Sequence, residues 1–194
     1  MTTVKAGSKK EETRERILRA AALTIRKHGY EGVGVADVMK EAGLTHGGFY
    51  AHFESRDALL AAAADQEGAE SSEHLTRAIA AAKPGQELMA LVDAYLSDGH
   101  VAAPEKGCAI AAAGTEVPRQ HADVRRAANR RIKDIIGLVE RQLPEWGRSA
   151  GHDKAMGIAA TLVGSVVLAR AVDDAQLSKR IRKAARELVR TAVG

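Results

Sequence analysis

The stretch from position 45 to position 56, "THGGFYAHFESR", gathers a threonine, two histidines, a tyrosine and an arginine. Tyr50 and His52 offer donors suited to phosphate oxygens, and Arg56 adds a fixed positive charge. Thr45 and His46 stand where a short helix would begin, so its positive end and their side chains would meet an anionic partner together. Gly47 and Gly48 fall inside that helix, although glycine there costs about 1 kcal/mol relative to alanine. Removing side-chain bulk at both positions lets the backbone approach a second molecule closely, while packing through Phe49 and Phe53 restores the fold. The chemistry this suits is recognition of a polyanion.

Other reactive side chains are scattered. Cys108 is the single cysteine, which excludes an intrachain disulfide and a thiolate zinc cluster. It follows "PEKG" and precedes an alanine-rich helical turn, a position that favours thiolate and reactivity. The alternative is a small buried hydrophobe. His100, His121 and His152 lie far apart near predicted helix ends, without ligand spacing or a carboxylate cluster, and read as solvated loop residues. No metal and no cofactor is expected. A nucleophile-elbow pattern, an HExxH pair and a glycine-rich phosphate loop after a strand are all missing, so an enzyme is not expected.

The elements that must position these residues read as helices throughout. The 194 residues are 45% hydrophobic but only 3% aromatic, so alanine supplies much of the interior and favours closely packed helices. Alternating β-branched runs are absent, and the fold class is all-α. The net charge of +4 permits a polyanionic partner without requiring one. Residues 1 to about 10 are small, polar and basic, and are expected to be disordered. Helices are expected over Lys10–His28, Val35–Ala42, His46–His52, Arg56–Ala82, Gln86–His100, Cys108–Val117, His121–Leu143, Asp153–Val172 and Asp174–Ala192. Gly29 and Gly43 end the first two; Thr45 and Ser55 are placed to cap the third and fourth. The chain divides into residues 1–54, a small N-terminal unit, and residues 55–194, a larger helical bundle. The N-terminus lacks the apolar core of a signal peptide, and the longest uncharged apolar stretch, Ala155 to Ala169, falls short of a bilayer span. A soluble, cytoplasmic chain without a membrane partner is expected.

Residues 35 to 53 have the layout of a helix-turn-helix DNA reader: a helix, a tight turn at Gly43, and a short helix. Val38 and Phe49 would pack the pair against the first helix, with Leu44 in the corner. Residues 1 to 56 carry ten Lys and Arg against seven Asp and Glu, a modest excess that also fits a buried helical hairpin with no nucleic-acid role. The stretch Ile17 to Leu60, with "ILRAA" and "HGYEGVGVADVMKEAGLTHGGFYAHFESRDALL", resembles the DNA-binding domain of the TetR/AcrR family of bacterial transcriptional regulators. The match rests on the alanine pair, Gly29-Tyr30, Ala42-Gly43, Gly47, Phe49-Tyr50, His52-Phe53 and the basic residue at 56, and the nine-helix layout extends it along the chain.

The resemblance implies a homodimer whose reading helices enter the major groove of a near-palindromic double-stranded DNA operator. Thr45, His46, Gly47 and Gly48 then fall at groove-facing positions, and Tyr50, His52 and Arg56 at backbone-contacting ones. Two departures stand out: Val33-Gly34-Val35 replaces the usual hydroxyl-rich entry to the second helix, and Arg56 stands where lysine is usual. The eighth helix is apolar nearly all round and must be covered on every side. With the ninth it is expected to form the dimer interface, through Gly157, Gly164, Leu168, Leu177, Ile181 and Leu188. The basic run of the ninth helix reads as solvated surface. A small-molecule effector is expected inside the C-terminal bundle, with Met89, Val92, Tyr95, Leu96, Cys108, Ile110, Val124, Ala128, Met156 and Ala160 as candidate lining. The function implied is a repressor released from its operator by that effector; the alternative is an electrophile or oxidant sensor of the same family acting through Cys108.

Overall fold

In the computed structural model, which describes residues 8–193 and all their side chains except those of 67–72, the first ordered contact is a cap. The Ser8 hydroxyl accepts from the Glu11 N–H at 3.3 Å, and the Ser8 N–H donates to the Glu11 carboxylate at 2.6 Å. This capping box satisfies two donors that the helix start would otherwise leave bare. Residues 8–10 of the stretch expected to be disordered thus belong to this cap and the helix it starts; residues 1–7 lie outside the described residues.

Helix α1 (Lys9–His28) buries Ile17, Leu18, Ala21 and Ile25 and ends at Gly29, whose φ of +74° suits glycine. Helix α2 (Val35–Glu41) starts at Gly34 with no side-chain cap, as the departure in the sequence implied. It closes with Gly43 at φ +69°: the Gly43 N–H reaches Lys40 O at 2.9 Å and the Leu44 N–H reaches Met39 O at 2.8 Å. That is a Schellman closure, and it turns the chain sharply into the next segment. Arg16 from α1 fixes the same corner by donating to Ala42 O at 2.5 Å.

The segment His46–Ala51 is a 3-10 helix where an α-helix was expected. Two glycines and six residues give little intrinsic helicity, and i→i+3 bonds close so short a segment more readily. Packing holds it: Phe49 is buried, stacks on Phe53 with centroids 5.9 Å apart, and belongs to the core built on α1. The expected fourth helix is thus α3 (Arg56–Ala80), capped by the Ser55 hydroxyl accepting from the Ala58 N–H at 3.1 Å.

Helices α4 (Glu87–Tyr95) and α5 (Asp98–Ala102) divide the expected fifth helix. Ser97 makes the break by accepting from the His100 N–H at 3.2 Å, and Arg182 holds the freed Leu96 carbonyl at 2.9 Å. A 3-10 turn at Pro104–Lys106, the short α6 (Ala109–Ala113) and a second such turn at Val117–Arg119 lead to α7 (Ala122–Glu140). Helices α8 (Ser149–Ala171) and α9 (Ala175–Val193) complete the bundle. No strand occurs among the described residues.

Two hydrophobic cores organise the chain. One joins α1, α2 and Phe49 to Leu59, Leu60 and Ala63 of α3, and borrows Ala113 and Val124 from the larger bundle. The other is built from α4, α7, α8 and α9 with Leu75, from the far half of α3. Helix α3 therefore belongs to both, and one rigid rod links them. Helix α8 is longer than its uncharged run suggested, and among the described residues it alone has the length and composition of a membrane span. One side of it, with Ala155, Ile158, Leu162 and Val166, is packed into the bundle.

Candidate nucleic-acid interface

The reading turn is open on its outer side. Thr45, His46 and Gly47 are exposed, and Tyr50 is 72% exposed, held edge-on against Phe49 at 5.2 Å. Thr45 occupies the cap position without capping, so its hydroxyl is committed to no backbone N–H of the turn. Neither Gly47 nor Gly48 has a positive φ. A Cβ at Gly47 would meet nothing within 4 Å, and one at Gly48 only the Met39 Cε at an ordinary 3.6 Å. Neither backbone strain nor internal packing calls for glycine here. At Gly47 the bulk that is lacking is bulk on the outward side, and at half-buried Gly48 it is bulk toward Met39. His52 is half-buried at the end of the turn, with Nδ1 buried and unpaired.

Arg56 has a different setting from the one its charge suggested. Its guanidinium turns inward and donates to Val33 O at 2.9 Å and Tyr30 O at 2.5 Å. It braces the loop before α2 and so positions the reading turn. From the other side, Glu116 of the larger bundle accepts from the Tyr30 N–H at 2.8 Å and the Glu31 N–H at 3.3 Å. Gly29 makes room for that carboxylate, since a Cβ there would lie 2.0 Å from Glu116 Oε1. Arg26 near the end of α1 donates to Glu105 O at 2.5 Å. No local pattern points to Glu116 or Glu105, because both contacts join positions about eighty residues apart.

The segment that supplies these contacts also walls a cavity of about 300 Å³, lined by His74, Leu75, Tyr95, Ser97, His100, Lys106 and the glycines at 99 and 107. Of the candidate lining residues only Tyr95 is among these, with Cys108 one position beyond Gly107. Val92 and Leu96 are buried in the solid core, against which Met89 and Ile110 pack. Val124 belongs to the N-terminal core, and Ala128 is buried on α7. Met156 and Ala160 point outward from α8. Cys108 is 4% exposed, and the helix it opens has five residues, too short for much dipole. His121 caps α7 and His152 pairs with Glu140 at 2.9 Å.

His100 anchors the cavity wall. Its Nε2 accepts from the Cys108 N–H at 3.0 Å, so the ring proton sits on Nδ1 and is donated to Tyr95 O at 2.5 Å. Burial holds its pKa below the usual value; the Tyr95 carbonyl opposes this, and the Arg170 and His74 charges add to it. Protonating Nε2 would also break the bond to Cys108. An unfolded histidine titrates near pH 6.5, so the stability contributed by neutral His100 is complete above that pH and is lost as pH falls toward the lower folded value. Melting temperatures of wild type and His100→Gln, measured between about pH 7.5 and 5, should converge as pH falls. A constant gap would show that His100 carries no such load.

On the opposite side of the bundle α8 and α9 present an apolar face. Leu168 is 56% and Leu188 60% exposed, Leu177 and Met156 lie beside them, and Ile181 is half-buried. At Gly157 and Gly164 a Cβ would meet nothing within 4 Å, so small residues there leave the surface flat without serving internal packing.

Comparison with known proteins agrees with this architecture. Residues 17–63 match the model of bacterial regulatory proteins of the tetR family. An uncharacterized HTH-type transcriptional regulator of Mycobacterium tuberculosis is 31% identical over 172 residues, which cover 81% of this chain and 84% of the relative. Among solved structures, a TetR-family transcriptional regulator from Cytophaga hutchinsonii superposes with TM-score 0.79 at 21% identity, covering 96% of this chain and 98% of that one. The reduced form of E. coli NemR gives TM-score 0.78 at 20% identity, covering 94% and 97%. With the family model on the reading unit and a relative matched along most of both chains, this chain belongs to the TetR family of helix-turn-helix transcriptional regulators.

Proposed function

We propose that this protein acts as a homodimeric repressor that leaves its operator when a small molecule occupies the cavity beside Tyr95 and His100. The observation that carries the DNA contact is the pair of glycines that neither conformation nor internal packing requires, set in an exposed turn. Thr45, His46, Gly47 and Gly48 face the groove; Tyr50 and His52 meet phosphate; Arg56 acts from behind by bracing the loop at 30–33. The division into a reading unit over 1–54 and an effector and dimerisation unit over 55–194 is part of this reading; the presence of two cores supports it, although Leu59, Leu60 and Ala63 of α3 pack with the reading unit. Gly157, Gly164, Leu168, Leu177, Ile181 and Leu188 belong to the α8–α9 face that a second copy covers.

The signal has two routes to the reading turn. Helix α3 lines the cavity with His74 and Leu75 and runs unbroken to Arg56. The segment 104–116 walls the cavity with Lys106 and Gly107 and grips the end of α1 through Glu105 and Glu116. Half-sites lie about 34–36 Å apart, so a shift of a few ångströms in either route mismatches two reading turns on one duplex. A complete switch needs the effector to favour the non-binding state by roughly 5.5 kcal/mol.

The test is operator selection from a random duplex library, followed by fluorescence anisotropy. Tyr50→Phe should weaken binding to every duplex, by roughly fivefold or more for two lost hydrogen bonds, whereas His46→Ala should change which duplex is preferred. Unaltered affinity and preference in both variants would remove these residues from the interface. A thiol signal through Cys108 is the second reading, favoured by its position next to the cavity wall. Release by electrophiles alone, lost in Cys108→Ser, would select it.

A further inference from the structure

Two buried donors with no oxygen or nitrogen to accept from them lie at the cavity wall, in Tyr95, and behind it, in Arg170. The Tyr95 hydroxyl is buried with only the weakly accepting Cys108 thiol beside it, and Nη1 of Arg170 is buried without a hydrogen-bond partner. The rest of the Arg170 guanidinium is spent on backbone, donating to His100 O at 2.6 Å and Val101 O at 3.3 Å. No carboxylate among the described residues lies within ion-pair distance of it, although it is part-buried. Gly107 brings it to the wall: a Cβ there would sit 3.1 Å from Arg170 Nη2 and 2.3 Å from the His100 ring. Lys106 lines the same cavity, and Leu75 and the Tyr95 ring give it an apolar side.

An unpaired buried donor costs free energy, and a buried cation without a counter-charge costs more. Both costs vanish together if an acceptor with negative charge enters. We infer that the effector is a small organic anion, an apolar body bearing one carboxylate-like head held between the Arg170 guanidinium and the Tyr95 hydroxyl. This rests on the reading of the cavity as the effector site and names the class it takes. A neutral hydrophobe would fill the space and leave both donors bare. A cation would meet Arg170 and Lys106 with its own sign. Burial raises the Tyr95 phenol well above its usual range, with Cys108 adding to the effect and Arg170 opposing it, so the hydroxyl keeps its proton to donate.

The experiment uses the full chain with benzoate and octanoate as probes, benzamide and octanamide as neutral matches, and sodium chloride to equalise ionic strength. Thermal shift reads binding, and anisotropy on the selected operator reads release. The carboxylates should raise the melting temperature at millimolar concentration and release operator, and their amides should do neither. Tyr95→Phe removes only a weakly partnered buried hydroxyl, so it should melt at or above wild type without probe yet bind the carboxylates roughly tenfold more weakly. Arg170→Lys should lose the response as well; if it fails to fold, Tyr95→Phe alone decides. Equal shifts from acids and amides, no shift from either acid, or wild-type carboxylate affinity in Tyr95→Phe would each overturn the inference. Operator release by the amides alone would overturn it while leaving the effector-site reading intact.

Discussion

Gly164→Arg should fold as wild type does and yet bind operator roughly 10²–10⁴-fold more weakly, the factor lost when two linked binding units become separate. The site has the space: a Cβ at Gly164 meets nothing within 4 Å, so the arginine clashes with no group of its own subunit. It would stand, however, beside Leu168 on the face proposed for a second copy, and leave a charge unpaired in that apolar contact. Leu168, Leu177, Leu188 and Met156 make that face too apolar for an uncovered surface. The groove between α8 and α9, lined by Gly157 and Leu188 among others, offers a partner side chain a seat. Sedimentation should show a dimer for wild type at micromolar concentration and a monomer for the variant, with the same helical content and melting behaviour within a few degrees. A wild-type monomer that still binds a palindromic duplex tightly would contradict the assignment of this face.

How much of this was legible beforehand depends on whether a signal was local. The ends of α1 and α2 were, because Gly29 and Gly43 take backbone conformations that glycine favours and the apolar spacing on α1 marks a single buried stripe. The reading turn was legible in its position and residue types, while its 3-10 form was not: the outcome depends on Phe49 and Phe53 packing onto another element. Arg56 reads in sequence as a free cation because sequence does not reveal which backbone carbonyls it meets; here they are those of Val33 and Tyr30. The cavity was misplaced for two physical reasons. Helix α8 is apolar on all sides, so nothing in its pattern says which side faces the core, and Met156 and Ala160 were assigned inward when they face out. The break at Ser97, which turns α5 and His100 into a wall, is secured by Arg182 from α9, about eighty-six positions away.

The central question is whether the open backbone of the reading turn is open for DNA. Gly47→Leu separates that claim from ordinary structural roles. Its φ is negative and a Cβ there meets nothing, so leucine should be tolerated and even stabilise the turn, by up to about 1 kcal/mol on helix propensity. Against a duplex the same side chain holds the backbone away and strips contacts worth roughly 1–3 kcal/mol from each subunit, about thirty- to twenty-thousand-fold for the dimer. The decisive measurement is the melting temperature and operator affinity of Gly47→Leu beside wild type: the account predicts equal or higher stability with affinity lost by that factor, and wild-type affinity in a normally folded variant would contradict it.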